Sequence, residues 1–363
     1  MAHKPRVLLI VGARPNFMKI APILRELERR AVSDAVLLHS GQHYDTAMSQ
    51  AFFDDLGIRR PDIHLSVGSG SHGAQTAEVL RGVEEVLLGG NWSMVVVVGD
   101  VNSTLAGALA AVKLGIPVAH VEAGLRSGDR SMPEEINRLL TDQASDLCLT
   151  PSRDADANLA REGIDGARVV FVGNVMVDTL LRTLSATCEG QTPPLDGMER
   201  GRYAVVTLHR PSNVDDPEQL SEIVEALEKI AEEIEVVFPV HPRTSKAIET
   251  FGVKLRRVRA LPPLGYKEML ALQARAGLVL TDSGGIQEET TVLGVPCLTL
   301  RSTTERPITI HDGTNRLVPV RSREAIFQAF QECWGREATP RRPEGWDGRA
   351  AGRIADAIEA RLL

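Results

Sequence analysis

The chain is poor in cysteine. The four it has among 363 residues, Cys148, Cys188, Cys297 and Cys333, stand far apart, with no Cys-x-x-Cys pair and no Cys/His cluster. Such spacing suggests neither a disulfide framework nor a zinc site, and the cytoplasm is the expected location. Aromatic residues make up only 4%, so the interior has to be built from aliphatic side chains. A basic stripe is also missing. The net charge of -7 is spread along the chain, which disfavours a protein that wraps the phosphate backbone of DNA or RNA. No apolar stretch approaches a membrane span, and the run Val7 to Val11 is too short and wrongly flanked for a signal peptide. The Gly-x-Gly-x-x-Gly fingerprint is absent from the first strand-to-helix turn, which weighs against tightly bound NAD.

What is present is a repeated α/β pattern. Short apolar runs recur between helical stretches: Val7 to Val11, Val36 to Leu38, Met94 to Val98, Pro117 to Val121, Leu147 to Leu149 and Val169 to Val172. Runs such as Val95-Val96-Val97-Val98 do not alternate polar and apolar, the mark of parallel strands covered by helices on both faces. Ala21 to Arg30 and Thr104 to Leu114 supply helices between them. The pattern pauses over the polar, Pro/Gly-containing segment Thr187 to Gly201 and restarts at Tyr203 to Leu208. It continues with Val236 to Val240, Val258 to Leu261, Leu278 to Thr281, Pro296 to Leu300 and Leu317 to Val320. Two doubly wound, Rossmann-like domains are predicted, over 1–185 and 200–340, with a C-terminal helix over 345–363 that could pack back on the first domain. In such sheets ligands bind beyond the carboxyl ends of the strands, so residues just after each apolar run are the candidates for function, and a cleft between the domains is the expected site.

The richest of these segments is Thr281-Asp282-Ser283-Gly284-Gly285-Ile286-Gln287-Glu288-Glu289. Ser283, Gly284 and Gly285 would let backbone N–H groups at a helix start face a phosphate, and Glu289, one turn on, could accept hydrogen bonds from a ribose diol. A tight turn with a Ser cap accounts for Ser-Gly-Gly equally well. Arg306, in Thr303-Thr304-Glu305-Arg306-Pro307, could add a forked cation to the same diphosphate. The turn after the first strand, Gly12 to Lys19, offers Arg14 and Lys19 to an anion, although both could be surface residues. Asp100, Glu122 and Glu134 with Glu135 follow the next strands; Asp100 could instead cap the helix after it. Glu122 is harder to explain structurally, because a carboxylate at a sheet's end costs desolvation unless it is paired or used. His209 and His241 end equivalent runs in the second domain, where two histidines favour ligand contact.

Taken together, several ordered motifs resemble the non-hydrolysing UDP-N-acetylglucosamine 2-epimerases. They are Gly12-Ala13-Arg14-Pro15 with Lys19-Ile20-Ala21-Pro22, Gly41-Gln42-His43, Gly99-Asp100, His120 to Arg126, Pro133-Glu134-Glu135-x-Asn137-Arg138, His209-Arg210, Thr281 to Glu289 and Thr304-Glu305-Arg306-Pro307. The resemblance implies the two-domain architecture of GT-B glycosyltransferases, a homodimer, and interconversion of UDP-N-acetylglucosamine with UDP-N-acetylmannosamine without metal or nicotinamide. It implies catalytic roles for Asp100, Glu122, Glu134 and His209. It also implies substrate contacts for Arg14, Lys19, Ser283, Gly284, Gly285, Glu289 and Arg306, to which Arg138 in its motif and His241 at its strand end are added. Two motifs depart from the family pattern: Ala13 and Asn16 stand in the first, and Pro211-Ser212-Asn213 follows His209-Arg210. A glycosyltransferase or a hydrolysing epimerase would draw on the same nucleotide contacts.

Overall fold

The computed structural model describes residues 4–41, 50–188, 198–319, 322–336 and 341–362. Gln42 and His43 of the Gly-Gln-His motif lie outside them, as do residues 189–197 of the predicted boundary and Val320. The described chain forms two compact units, residues 1–179 with 344–363, and residues 180–343.

In the first unit, strands β1 (Arg6–Val11), β2 (Asp34–His39), β3 (Ile63–His64), β4 (Met94–Val98), β5 (Val118–Val121), β6 (Leu147–Thr150) and β7 (Val169–Phe171) alternate with helices. These are α1 (Arg14–Arg30), α2 (Gln50–Leu56), α3 (His72–Leu88), α4 (Asn102–Lys113), α5 (Pro133–Ala144), α6 (Arg153–Arg161) and α7 (Val175–Cys188), the last reaching past the unit's boundary. All strand pairs are parallel, in the order β3-β2-β1-β4-β5-β6-β7. Every residue of β4, β5 and β6 is buried, as expected where helices cover both faces. The order reverses beside β1, so the exits of β1, β4 and β5 lie side by side at a topological switch point.

The second unit repeats the plan with β8 (Tyr203–Thr207), β9 (Glu235–Pro239), β10 (Arg259–Leu261), β11 (Leu278–Thr281), β12 (Cys297–Thr299) and β13 (Asn315–Leu317), in the order β10-β9-β8-β11-β12-β13, again all parallel. Its helices are α8 (Pro211–Val214), α9 (Pro217–Ile230), α10 (Pro242–Phe251), α11 (Tyr266–Ala274), α12 (Gly284–Leu293), α13 (Ile308–His311) and α14 (Arg323–Cys333). One sheet face packs Val206, Phe238 and Leu280 with Leu227 of α9 and Phe330 of α14. The other packs Val205, Val237 and Val279 with Leu272 of α11. Side chains pointing to opposite faces are both apolar, which is why these strands read as unbroken runs.

The last helix, α15 (Ala350–Leu362), belongs to the first unit. Asp178 accepts the N–H groups of Ala350 at 3.1 Å and Ala351 at 2.8 Å, meeting two of the helix's orphan donors. Arg30 of α1 reaches Asp356 at 2.6 Å and Glu359 at 3.1 Å. Burial lifts the Asp178 carboxyl to about 6. Among the described residues no helix is long and apolar enough to cross a membrane.

Candidate active site

The first unit gathers charge at three neighbouring strand exits. Beyond β1 the chain enters α1 with Arg14, which is exposed, while Lys19, one turn further, is buried at 7%. The surface reading of the pair therefore holds for Arg14 and fails for Lys19. Asn16 sits between them with its Oδ1 accepting the Ala13 N–H at 2.9 Å and its Nδ2 donating to the Val98 carbonyl at 3.0 Å. That departure from the family pattern staples the start of α1 to β4.

Beyond β5, Glu122 is 4% exposed and adopts a positive φ of 68°, a conformation costly for a side chain of this kind and concentrated at functional sites. Its Oε2 forms an ion pair with Lys19, and its Oε1 is buried without a hydrogen-bond partner. A buried carboxylate oxygen left open carries a desolvation cost. Gly99, at φ 70°, lets the groups close in: a Cβ there would stand 3.0 Å from Lys19 Nζ and 3.5 Å from Glu122 Oε2.

Asp100 follows Gly99 and is only half buried. It does not cap α4, whose N-cap is Val101. Its carboxylate pairs with Arg138, and its carbonyl accepts from Asn137 Nδ2 at 2.9 Å. Arg138, expected to reach substrate, is 2% exposed and engaged by its own chain: Glu135 takes its Nη2 at 2.7 Å. Burial opposes ionisation of Glu135, but the N–H groups of Ser127 and Gly128 and the Arg138 charge hold its carboxyl below the ordinary range. Glu134, in the first turn of α5, is half-buried.

The second unit holds the nucleotide candidates. Ser283 is the N-cap of α12, but its side chain makes no capping bond, so the Ser-cap reading of the turn is not what forms. Gly284 is required by crowding: a Cβ would lie 2.6 Å from Arg306 Nη1 and 2.8 Å from Glu305 Oε1, whereas Gly285 faces open space. Arg306 donates through Nε to Glu288 at 2.7 Å and pairs with Glu305. Glu305 is also reached by Arg301 at 2.9 Å and by Arg210 at 3.6 Å. Burial works against the Glu305 carboxylate, yet these three guanidinium groups hold it well below the usual range. The Nη1 of Arg301 is buried without a partner, so cationic N–H capacity remains beside the start of α12. Glu289 is buried, accepts from Gln273 Nε2 at 3.1 Å, and burial lifts its carboxyl to about 7.

His209 and His241 stand with ring centroids 5.7 Å apart. Asp282, fully buried, takes His209 Nδ1 at 2.9 Å, the His209 N–H at 3.0 Å, the Arg210 N–H at 2.9 Å and Asn213 Nδ2 at 3.2 Å. Asn213 of the second departing motif is thereby part of the frame. Burial opposes the charge on Asp282, but the His209 side chain and these N–H groups keep its carboxyl below the usual range. With Nδ1 turned to Asp282, His209 has Nε2 left for a ligand. His241 is exposed and caps α10 through Nδ1, accepting from the Arg243 N–H at 3.2 Å. Among the described residues no group of three or more His, Cys, Asp or Glu side chains is arranged to hold a metal ion.

Sequence reasoning passed over Asp282, Glu305, Arg301, Arg210 as a cluster member, and Gln273. Asp282, Glu305 and Arg210 stand inside quoted motifs and Arg301 just before one, so membership of or nearness to a motif was the available signal; nothing local marks Gln273.

The family model for UDP-N-acetylglucosamine 2-epimerase matches residues 25–359. The chain is 42% identical over 359 residues to the UDP-N-acetylglucosamine 2-epimerase of Methanocaldococcus jannaschii, covering 96% of this chain and 97% of that one. The crystal structure of the M. jannaschii enzyme in complex with UDP-GlcNAc and UDP superposes with a TM-score of 0.91 at 41% identity, covering 98% and 99% of the two chains. A second relative, 43% identical over 356 residues and covering 97% and 99%, is the UDP-2,3-diacetamido-2,3-dideoxy-D-glucuronate 2-epimerase of Pseudomonas aeruginosa. The glycotransferase of kitacinnamycin shares the fold alone, with a TM-score of 0.60 at 15% identity over 99% and 100% of the chains.

Proposed function

The chain belongs to the UDP-N-acetylglucosamine 2-epimerase family, and from that premise we propose that it interconverts UDP-N-acetylglucosamine and UDP-N-acetylmannosamine in the cytoplasm without hydrolysis. The hydrogen on carbon 2 has no adjacent carbonyl to stabilise a carbanion, so direct deprotonation faces a large barrier. That barrier falls if the bond from carbon 1 to the diphosphate oxygen breaks with its electron pair leaving on UDP. Oxocarbenium character then acidifies the carbon 2 proton, a carboxylate takes it, and 2-acetamidoglucal and UDP result. Protonation of carbon 2 from the opposite face and return of the UDP oxygen to carbon 1 complete the inversion with no net oxidation.

The observation that carries this reading is Glu122, held at a strained backbone angle with one oxygen ion-paired to Lys19 and the other buried and open. A strained, desolvated acid on a rigid strand exit is what proton transfer at an unactivated carbon asks for. Asp100, Glu122 and Glu134 are assigned to proton transfer on the two faces. His209, Arg306 and the start of α12 are assigned to the departing diphosphate, with Arg14 and Lys19 as further cations, Glu289 at the ribose, and Arg138 and His241 at the rim of the substrate. We carry over the family's homodimer as well, which light scattering on the purified protein decides.

Proton NMR of the protein given UDP-N-acetylglucosamine alone in deuterium oxide tests the reading. The expected product is UDP-N-acetylmannosamine carrying deuterium at carbon 2, with bridging oxygen-18 scrambling into the β-phosphate. Asp100→Asn, Glu122→Gln and Glu134→Gln should each slow turnover by about a hundredfold. Free N-acetylmannosamine would indicate hydrolysis, and inversion without deuterium would sink the proton-transfer assignment. Offering the 2,3-diacetamido glucuronate nucleotide in competition decides between the sugars named for the two relatives.

A further inference from the structure

One buried side chain beside these acids has no part in the chemistry above. The β4–β5 ladder runs in register to Val98 and Val121 and ends with the Gly99 N–H on the Val121 carbonyl at 3.1 Å. There both strands turn through the left-handed region, Gly99 at φ 70° and Glu122 at φ 68°, and main-chain pairing stops as the chain reaches Asp100 and Glu122. His120, fully buried, takes over at that point. Its Nε2 is 2.8 Å from the Gly99 carbonyl and its Nδ1 2.6 Å from Asp142 Oδ1. A carbonyl cannot donate. Burial opposes ionisation of Asp142, but His120, Arg126 and the Gly124 N–H hold its carboxyl below the usual range. Nε2 is therefore the donor to Gly99, and Nδ1 faces the carboxylate. The other Asp142 oxygen accepts the Gly124 N–H at 3.0 Å and meets Arg126 at 2.7 Å. Gly124, at φ 82°, closes the turn that begins with Glu122.

We propose that His120, backed by Asp142, is a positioning residue for the reaction: it is the strut between the β4 exit that carries Asp100 and the β5 exit that carries Glu122. The proposal rests on the reading of those two acids as proton-transfer groups. It reaches neither substrate nor solvent, and its effect is transmitted through the backbone at Gly99 and Gly124. Once the ladder has ended, the spacing of the two exits depends on side chains, and α5 supplies them: Asn137 and Arg138 hold Asp100, and Asp142 holds His120.

Two variants separate the ends of the strut. In His120→Asn the amide reaches the position of Nδ1 and keeps Asp142 but leaves the Gly99 carbonyl without its donor. In His120→Gln the amide reaches the position of Nε2 and keeps the Gly99 contact. A small displacement of a reacting group costs about a hundredfold, so His120→Asn should lose roughly thirty- to a hundredfold in kcat with KM within about threefold, while His120→Gln stays within about fivefold. A role in stability alone would lower the Tm of both and leave kcat per folded molecule alike. Crystal structures supply a readout independent of turnover: the Asp100 carboxylate should shift in His120→Asn and hold its place in His120→Gln. Should His120→Asn fail to fold, Asp142→Leu leaves both His120 Nδ1 and the Gly124 N–H without their partner, and the same loss in kcat is expected. Wild-type kcat in folded His120→Asn or Asp142→Leu, or unmoved acids in the crystal structure, overturns the proposal. A wild-type protein that leaves UDP-N-acetylglucosamine unchanged overturns the assigned reaction instead, and the crystal structures then decide the strut.

Discussion

Glu289 offers a measurement in which the sign as well as the size is fixed by the structure. Its carboxyl is buried on α12, facing Gln273 at 3.1 Å and the Tyr266 hydroxyl, and burial outweighs both in lifting it from 4.5 to about 7. At about 1.4 kcal/mol per unit, ionising it in the folded protein costs about 3 kcal/mol more than in the unfolded chain. The folded state keeps the proton up to about pH 7, while the unfolded chain releases it near 4.5. Stability from this group is thus complete below 4.5 and lost as the pH rises through 7. Glu289→Gln removes the titration and keeps an oxygen for Gln273. The variant should match wild type near pH 5 and exceed it near pH 8 by up to about 3 kcal/mol, roughly 6 to 12 °C in Tm. Thermal melts of both proteins across that range check it, since titration of all other groups cancels in the difference. If UDP presents its ribose hydroxyls to this carboxylate, it favours the ionised form. UDP should then bind wild type more tightly as the pH rises from about 6 to 8, with no such slope in Glu289→Gln beyond that of the phosphates themselves. A wild-type-minus-variant Tm difference that is flat with pH refutes the buried-acid reasoning. Identical calorimetric slopes refute the ribose contact.

Gly284→Ala places a methyl 2.6 Å from Arg306 Nη1 and 2.8 Å from Glu305 Oε1, and it should weaken UDP by about tenfold or more and also lower the Tm, because the buried Arg306–Glu305 pair has to shift. Unaltered calorimetric affinity would put the diphosphate elsewhere. Gly173→Ala demands φ 81° of an alanine and drives its Cβ to 2.0 Å from the Gly345 carbonyl oxygen; a loss of at least about 3 kcal/mol is expected. Limited proteolysis should then release residues 344–363, and an uncut chain would show that Gly345 yields. Turnover after exhaustive EDTA treatment should be unchanged. Activity restored only by a divalent ion would mean that Asp100, Glu122 or Glu134 binds one.

The strands were legible because a parallel sheet covered on both faces writes itself as unbroken aliphatic runs. Val7 to Val11 and Met94 to Val98 recur within a residue as β1 and β4. Among the described strands β3, two residues long, went unseen, being too short to form a run, and β13 (Asn315–Leu317) starts two residues before the apolar run that was read as that strand. Helix starts were harder. The sequence pattern opens the first helix at Ala21, yet α1 begins at Arg14, because Arg-Pro-Asn lacks the apolar spacing of a helix interior. Those residues are nonetheless suited to a first turn: Pro15 forgoes an N–H that has no partner there, and Asn16 reaches back to the Ala13 N–H.

The groups that hold the site in shape were hidden for a different reason. Candidates that face a ligand follow apolar runs and can be found by position. Their supports depend on which strands are neighbours: β4 pairs with β5 on one side and β1 on the other, and it is this adjacency that brings Asn16, His120, Arg138 and Asp142 around two strand exits. The clearest case is α5, where periodicity alone misleads. Its buried positions are Glu135, Asn137, Arg138, Thr141 and Asp142, while Leu140 on the other face is 48% exposed. An amphipathic helix that turns its polar stripe inward breaks the rule that puts apolar residues against the core. Burying that stripe is tolerable only where each charge finds a partner. Here the partners are Asp100, His120 and the turns at Gly124 and Ser127. An inverted helix between two acid-bearing strand exits therefore marks a scaffold for those acids, and it stayed hidden because the sequence shows an apolar and a polar face without saying which one is turned inward.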